Sequence, residues 1–232
     1  DRQRYWAVQA VTFVGAIVGA KVSAVMGDTG WPLRESGLSW QEVAVYVDDV
    51  LIYSEHFDRH VELVGQVLGK LATGGFSVAP SKCKFFAREI PYLGHVLSQR
   101  GVATQPALVT KIVESMGRLT TKSAVRRALG VAQFYSRFIW RFSTVTAALS
   151  DAVRKDVLEN LSNLSADERR RMDEAATKLQ LLMTTAPTLA LPDYEREFVL
   201  VTDASDVGIG AMLGQEDDDG HLRPVAFWSR KL

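Results

Sequence analysis

Val43-Ala44-Val45-Tyr46-Val47-Asp48-Asp49-Val50-Leu51-Ile52-Tyr53 is the stretch that decides the fold. Both flanks alternate and are rich in β-branched and aromatic residues, which predicts two strands. The acidic pair falls between them, where a tight hairpin would turn. Adjacent carboxylates at a hairpin tip repel each other unless a cation neutralises them. A hard divalent ion accepts such oxygens, usually one or two carboxylates together with substrate phosphates. That is the chemistry of nucleotidyl transfer, where paired metals clamp the attacking and leaving oxygens. By itself the stretch also fits an ordinary acidic turn on a half-buried hairpin.

Working outward, Phe57, Val61, Val64, Val67, Leu68 and Leu71 recur at three- and four-residue steps. They predict an amphipathic helix closed by Gly74-Gly75. Two short strands, Cys83–Phe86 and Tyr92–Leu97, are expected to pair through a turn near Arg88-Glu89. A glycine at 94 suits close backbone approach or a bulge. Gln105-Pro106 opens a helix with Leu108, Ile112, Val113 and Met116 on one side. A second helix starts near Ser123 and presents Val125, Leu129, Ala132 and Tyr135, with Arg126, Arg127 and Arg137 elsewhere and Lys122 and Arg141 nearby. Phe134, Tyr135, Phe138, Trp140 and Phe142 are expected in its core. Ser165-Ala166-Asp167-Glu168 is a capping box. The helix it opens carries Met172, Ala176, Leu179 and Met183 and ends before Pro187. From Phe198 the period becomes two, with strands at 198–202, 209–213 and 224–229 forming an antiparallel meander. Asp217-Asp218-Asp219-Gly220 is a solvated turn within it.

Further motifs act together. Lys82-Cys83-Lys84-Phe85-Phe86, Tyr92-Leu93-Gly94-His95-Val96-Leu97-Ser98, the run Leu129–Ile139, Thr202-Asp203-Ala204-Ser205-Asp206-Val207-Gly208-Ile209-Gly210 and Ala226–Leu232 follow the acidic pair in order. From about Val43 to Leu232 the chain resembles the pol polyprotein of gypsy-type LTR retrotransposons. The resemblance implies an α+β architecture: the C-terminal part of a reverse-transcriptase palm, a helical thumb, and the opening antiparallel strands of an RNase H-like domain. It places palm at 41–100, thumb at 101–160, a connection helix and linker at 161–196 and RNase H-like strands at 197–232, and residues 1–40, which it does not cover, stand as a divergent apolar segment.

The resemblance also implies roles. Asp48 and Asp49 would hold Mg²⁺ or Mn²⁺ and the phosphates of an incoming deoxynucleotide, with Tyr46 packed under the primer end. Leu93 and Gly94 would grip that end. Lys122, Arg126, Arg127 and Arg137 would hold the phosphates of a primer–template RNA/DNA duplex, which supplies affinity and register without reading sequence. On residues alone, that face is equally a solvated helix surface. Asp203 would hold metal in the RNase H-like part, but one carboxylate cannot position two metals, and the chain reaches Leu232 before further candidates. The expected enzyme is an RNA-directed DNA polymerase with an incomplete site. The rival is a noncatalytic nucleic-acid-binding or scaffold protein of retroelement origin.

Composition is permissive. At 232 residues and 47% hydrophobic content the chain can bury a core, and its formal net charge is zero. Nucleic-acid binding must then rest on local patches. The single cysteine, Cys83, excludes an internal disulfide framework and cysteine-cluster metal sites. No signal-peptide pattern is visible, and an intracellular setting is expected. The segment from Tyr5 to Ala20 is nearly all apolar yet shorter than the ~20 residues of a membrane span. It is expected to be a buried helix or a segment that has lost its usual packing partners. No second metal-binding aspartate is recognisable ahead of Asp48. Asp28 lies too close to it and in the wrong context.

Overall fold

The computed structural model describes residues 5–10, 42–46, 49–117, 119–154 and 159–232, the first of these as backbone only. Two compact units emerge, residues 1–99 and 100–232.

In the first unit, β2 (Val43–Tyr46) and β3 (Asp49–Ser54) pair antiparallel, as the alternation predicts, in the register Val43↔Ile52 to Tyr46↔Asp49. Strand β1 (Tyr5–Ala10) takes the other edge of β3, from Tyr5↔Ser54 to Ala10↔Asp49, and in turn pairs with β4 (Cys83–Ala87). The sheet order is β2-β3-β1-β4. Two expectations change here. Residues 5–10 form a strand, where the apolar run suggests a buried helix or a segment without its packing partners; the remainder of that run lies outside the described residues. Strand β4 does not pair with the segment after it. The next hairpin joins β5 (Glu89–Tyr92) to β6 (His95–Ser98), with its turn at Leu93-Gly94 and not at Arg88-Glu89.

Helix α1 (Phe57–Thr73) covers the sheet and ends at Gly74, with Gly75 at φ 76. Its buried stripe is His60, Leu63, Val64, Val67 and Leu71, packed with Val43, Val50 and Ile52. Phe57 and Val61, expected inside, are 50% and 46% exposed. From Val64 onward the expected stripe holds at Val64, Val67 and Leu71, and at the N-terminal turns the inward places go to Leu63 and to His60. Its Nδ1 and the Ser54 hydroxyl lie 3.0 Å apart, and Phe57 instead meets Phe86 at 5.3 Å between ring centres.

The second unit begins with β7 (Gly101–Thr104), followed by α2 (Pro106–Met116), with proline in its first turn. Helix α3 (Lys122–Phe134) is capped by Thr121, whose hydroxyl accepts from the Ala124 N–H. A 3-10 turn (Ser136–Phe138) leads to α4 (Phe142–Val145), α5 (Ala147–Arg154) and α6 (Ala166–Thr184). The capping box at the start of α6 is complete: Ser165 accepts from the Glu168 N–H, and Glu168 accepts from the Ser165 N–H. Val109, Ile112, Met116, Val125, Ala128, Ala132, Tyr135, Phe138, Leu149, Met172, Leu179 and Met183 form one core. Leu108, Val113 and Leu129 sit at its margin, and Phe134 is 49% exposed. The meander β8 (Val199–Ser205), β9 (Gly208–Glu216) and β10 (Leu222–Lys231) has the order β10-β9-β8. Among the described residues, no helix is long and apolar enough to cross a membrane.

Candidate nucleotidyl-transfer and nucleic-acid site

The β2–β3 register closes at Tyr46↔Asp49, and Val47 and Asp48 lie outside the described residues. Asp49 is half-buried and Tyr46 is 57% exposed. Val50, Leu51 and Ile52 behind Asp49 are 0%, 4% and 0% exposed, so both faces of β3 are packed and Asp49 stands at the start of a buried strand. On the opposite edge of β3, Asp49 faces Ala10. The sequence of β1 is Tyr-Trp-Ala-Val-Gln-Ala, so the strand beside the acidic turn contributes no carboxylate.

The β5–β6 hairpin closes at Tyr92↔His95, so Leu93 and Gly94 form its two-residue turn. Their φ angles are 47° and 78°. Two successive left-handed residues match the twist of a tight hairpin, normally the work of Asn-Gly or Gly-Gly. Leucine there is strained by roughly 1–3 kcal/mol, and such strain concentrates at functional sites. Of the two readings of Gly94, close backbone approach or a bulge, the bulge is not what the register shows: Gly94 lies in the turn itself. Beside the turn stands Tyr92, a residue sequence reasoning passed over. Its phenol is pushed up to about 12 by burial first, then by the charge of Asp49 and by Tyr46 and Tyr53. Tyr92 thus lies within the field of the acidic turn and stays a neutral hydrogen-bond donor there. The one available signal was an aromatic residue directly ahead of Leu-Gly.

In the second unit, Arg126 and Arg127 are exposed on α3, away from buried Val125, Ala128 and Ala132. Lys122 is half-buried. Arg137 is exposed in the 3-10 turn, 5.9 Å over the Phe138 ring. Glu159 is the nearby counter-charge. It accepts from the Ser123 N–H at 2.9 Å, which holds its carboxyl below the usual range, and it stands 3.9 Å from Arg126.

Asp203 sits near the end of β8, opposite Gly210. Its carboxylate lies 3.0 Å from Arg141 Nη1, and Arg141 Nη2 donates to the Ser205 hydroxyl at 3.0 Å. In the β9–β10 turn, ligand atoms of Asp217, Asp219 and His221 gather within 4.8 Å. Asp217 is already used there, accepting from the backbone N–H groups of Asp219 and His221 at 3.1 and 2.8 Å. Asp218 is ion-paired to Arg196 at 2.5 Å. The cluster is a turn device.

Comparison with known proteins falls on the same elements. Residues 24–97 match the reverse transcriptase (RNA-dependent DNA polymerase) family, and residues 169–232 match the RNase H-like domain found in reverse transcriptase. The first match starts ahead of Val43, so the relationship reaches into a segment where no motif was recognised. The chain is 33% identical over 188 residues to the retrovirus-related Pol polyprotein from transposon 297 of Drosophila melanogaster, covering 81% of this chain and 17% of that protein. It is 32% identical to the Pol polyprotein from transposon opus of the same organism, covering 81% and 19%. The Schizosaccharomyces pombe transposon Tf2-3 polyprotein is 28% identical, covering 82% and 14%. The chain therefore spans less than a fifth of the length of these relatives. Its fold matches the foamy viral protease-reverse transcriptase dRH in complex with ds DNA at TM-score 0.75 and 19% identity, over 100% of this chain and 44% of that one. The foamy viral enzyme in complex with RNA/DNA hybrid matches at TM-score 0.73 and 18% identity, over 100% and 34%. The acidic hairpin falls within the first family match and the meander within the second, and the Pol relatives run through both, so the chain belongs to the reverse transcriptase and RNase H-like region of retrotransposon Pol polyproteins.

Proposed function

We propose that the chain holds a primer–template duplex for RNA-directed DNA synthesis, with 41–100 as palm, 101–160 as thumb, 161–196 as connection and 197–232 as RNase H-like strands. The observation that carries this reading is the approach of two hairpins in one unit: Asp49 at the start of β3, and Tyr92 at the base of the Leu93-Gly94 turn. A polymerase needs its metal-binding carboxylates beside the group that positions the primer end, because misplacement of reacting atoms by about 1 Å can cost roughly 100-fold in rate. Exposed Tyr46 and Leu93 offer the apolar surface for that end. Lys122, Arg126, Arg127 and Arg137 hold duplex phosphates. That the structural neighbours were captured with double-stranded DNA and with RNA/DNA hybrid supports the choice of partner.

Asp48 and Asp49 suit Mg²⁺ or Mn²⁺, which take one or two carboxylates plus substrate phosphates. When bound, such an ion neutralises charge developing on the phosphates of an incoming deoxynucleotide. Because β1 brings no third carboxylate, the pair holds metal weakly until a nucleotide adds its own oxygens. Asp203 is already engaged by Arg141, and hybrid cleavage forms no part of this reading. The rival, a scaffold without polymerase chemistry, is not favoured, since both family matches are to parts of reverse transcriptase.

The test is a recessed primer–template with a fluorescent base at the primer 3′ end. The chain should bind it more tightly than blunt duplex and should change the probe's emission. Tyr46→Ala or Leu93→Asp should abolish the emission change while leaving most of the affinity. Equal binding of recessed and blunt duplex, with silent emission, refutes the proposal.

A further inference from the structure

Arg141 is held at several points in the second unit, and the polymerase reading does not use it. Its backbone is left-handed, with φ 54 and ψ 36, immediately ahead of α4. A non-glycine residue keeps such a conformation only where its surroundings enforce it. The enforcement comes from β8. One guanidinium nitrogen meets Asp203 Oδ2 at 3.0 Å, and the other donates to the Ser205 hydroxyl at 3.0 Å. Asp203 and Ser205 are two apart on one strand and so share a face. The planar fork of arginine spans them, which a lysine cannot do. The stem has its own slot: a Cβ on Gly210, the residue paired with Asp203, would meet Arg141 Cγ at 3.0 Å. Arg141 Nε is buried without a hydrogen-bond partner, so the side chain is held for its two outer nitrogens.

Neighbouring contacts reinforce the junction. The Ser143 N–H donates to the Ser229 hydroxyl at 2.8 Å. Trp140 meets Phe227 edge-on at 5.9 Å, and Lys231 pairs with Asp151. Asp203 is therefore one member of a seam between the helical module and the meander. A metal-binding carboxylate needs free lone pairs and a negative surround. Here a permanent cation stands 3.0 Å away.

We infer that Asp203 is the strand half of a structural clasp with Arg141, which ties the meander to the helical module, and is not a standing metal ligand. The clasp and a divalent ion compete for the same carboxylate. Thermal unfolding of the whole chain, with and without millimolar Mg²⁺, tests this. Arg141→Gln and Asp203→Asn should each lower Tm by about 2–4 °C. The double variant should fall no further than the worse single one, because each change breaks the same contact. Ser205→Ala, a milder change, should lower Tm by less, and Arg141→Lys should recover only part of the loss. Mg²⁺ should leave the wild-type Tm where it is, or shift it equally in Asp203→Asn. The inference is overturned if Mg²⁺ raises the wild-type Tm and the rise vanishes in Asp203→Asn. It is equally overturned if the two single losses simply add, or if Arg141→Gln melts like wild type.

Discussion

Replacing Arg126, Arg127 and Arg137 together with glutamine isolates the electrostatic part of duplex binding. All three are exposed, and the buried side of α3 is Val125, Ala128 and Ala132, so the fold should survive. Each phosphate neutralised on duplex DNA contributes about −0.9 to the slope of log affinity against log salt. Three arginines therefore account for a slope of about −2.7, and wild type should lose roughly 40-fold in affinity over a fourfold rise in salt from this face alone. The triple variant should retain only the shallow remainder contributed by Lys122 and other cations. Glu159 provides an internal control. It stands 3.9 Å from Arg126 and accepts from the Ser123 N–H. Glu159→Gln keeps that acceptor and removes the competing charge, so it should tighten binding at low salt. Fluorescence anisotropy with a labelled RNA/DNA hybrid across a salt series reads all three proteins. Discrimination between unrelated sequences should stay negligible, because phosphate contacts carry no sequence information. If the triple variant keeps the wild-type slope, or Glu159→Gln weakens binding, these arginines do not touch phosphate and the face is a solvated helix surface.

Asp49→Asn should lower the Tyr92 pKa from about 12, since the Asp49 charge is one of the causes that raise it; spectrophotometric phenol titration, with Tyr92→Phe as the assignment, checks this. The buried His60 imidazole is held below its usual pKa by desolvation. The unfolded chain therefore takes the proton first, and stability should fall as pH drops below about 6.5; urea unfolding across pH should show a weaker acid loss in His60→Gln. Gly101→Ala would place a Cβ 1.9 Å from the Leu189 carbonyl oxygen, at a glycine of φ 128. It breaks the paired bonds between Val102 and Leu189, each 2.8 Å. Losing two backbone hydrogen bonds costs about 1–3 kcal/mol, a Tm fall of at least several degrees by calorimetry. Calorimetric titration should find weak Mg²⁺ binding without nucleotide, tightened by an added deoxynucleotide and reduced in Asp49→Asn.

Much of this protein is written in short-range sequence. The β-branched and aromatic residues on both sides of Asp48-Asp49 announce the β2–β3 pair, and Val50, Leu51 and Ile52 are buried within it. Gln105-Pro106, Ser165 with Glu168, and Gly74-Gly75 mark helix ends, because capping is settled within a few residues of the terminus. The period of two from Phe198 announces the meander, and the ordered motifs announce the family. What only the tertiary structure decided is long-range. An apolar run such as residues 5–10 has no period to mark it as a strand; it becomes one because β3 has an open edge for it. Strand β4 pairs with β1 across some eighty residues in preference to its neighbour, a choice made by which edges remain unpaired. At the start of α1 His60 lies inside with its Nδ1 beside the Ser54 hydroxyl, and a helical wheel weighs hydrophobicity without seeing a hydrogen-bond partner on another element. Tyr92 beside Asp49, and Arg141 on Asp203, join residues more than forty positions apart. Their energetics come from burial and charge at short distance, quantities that exist only once the chain has folded.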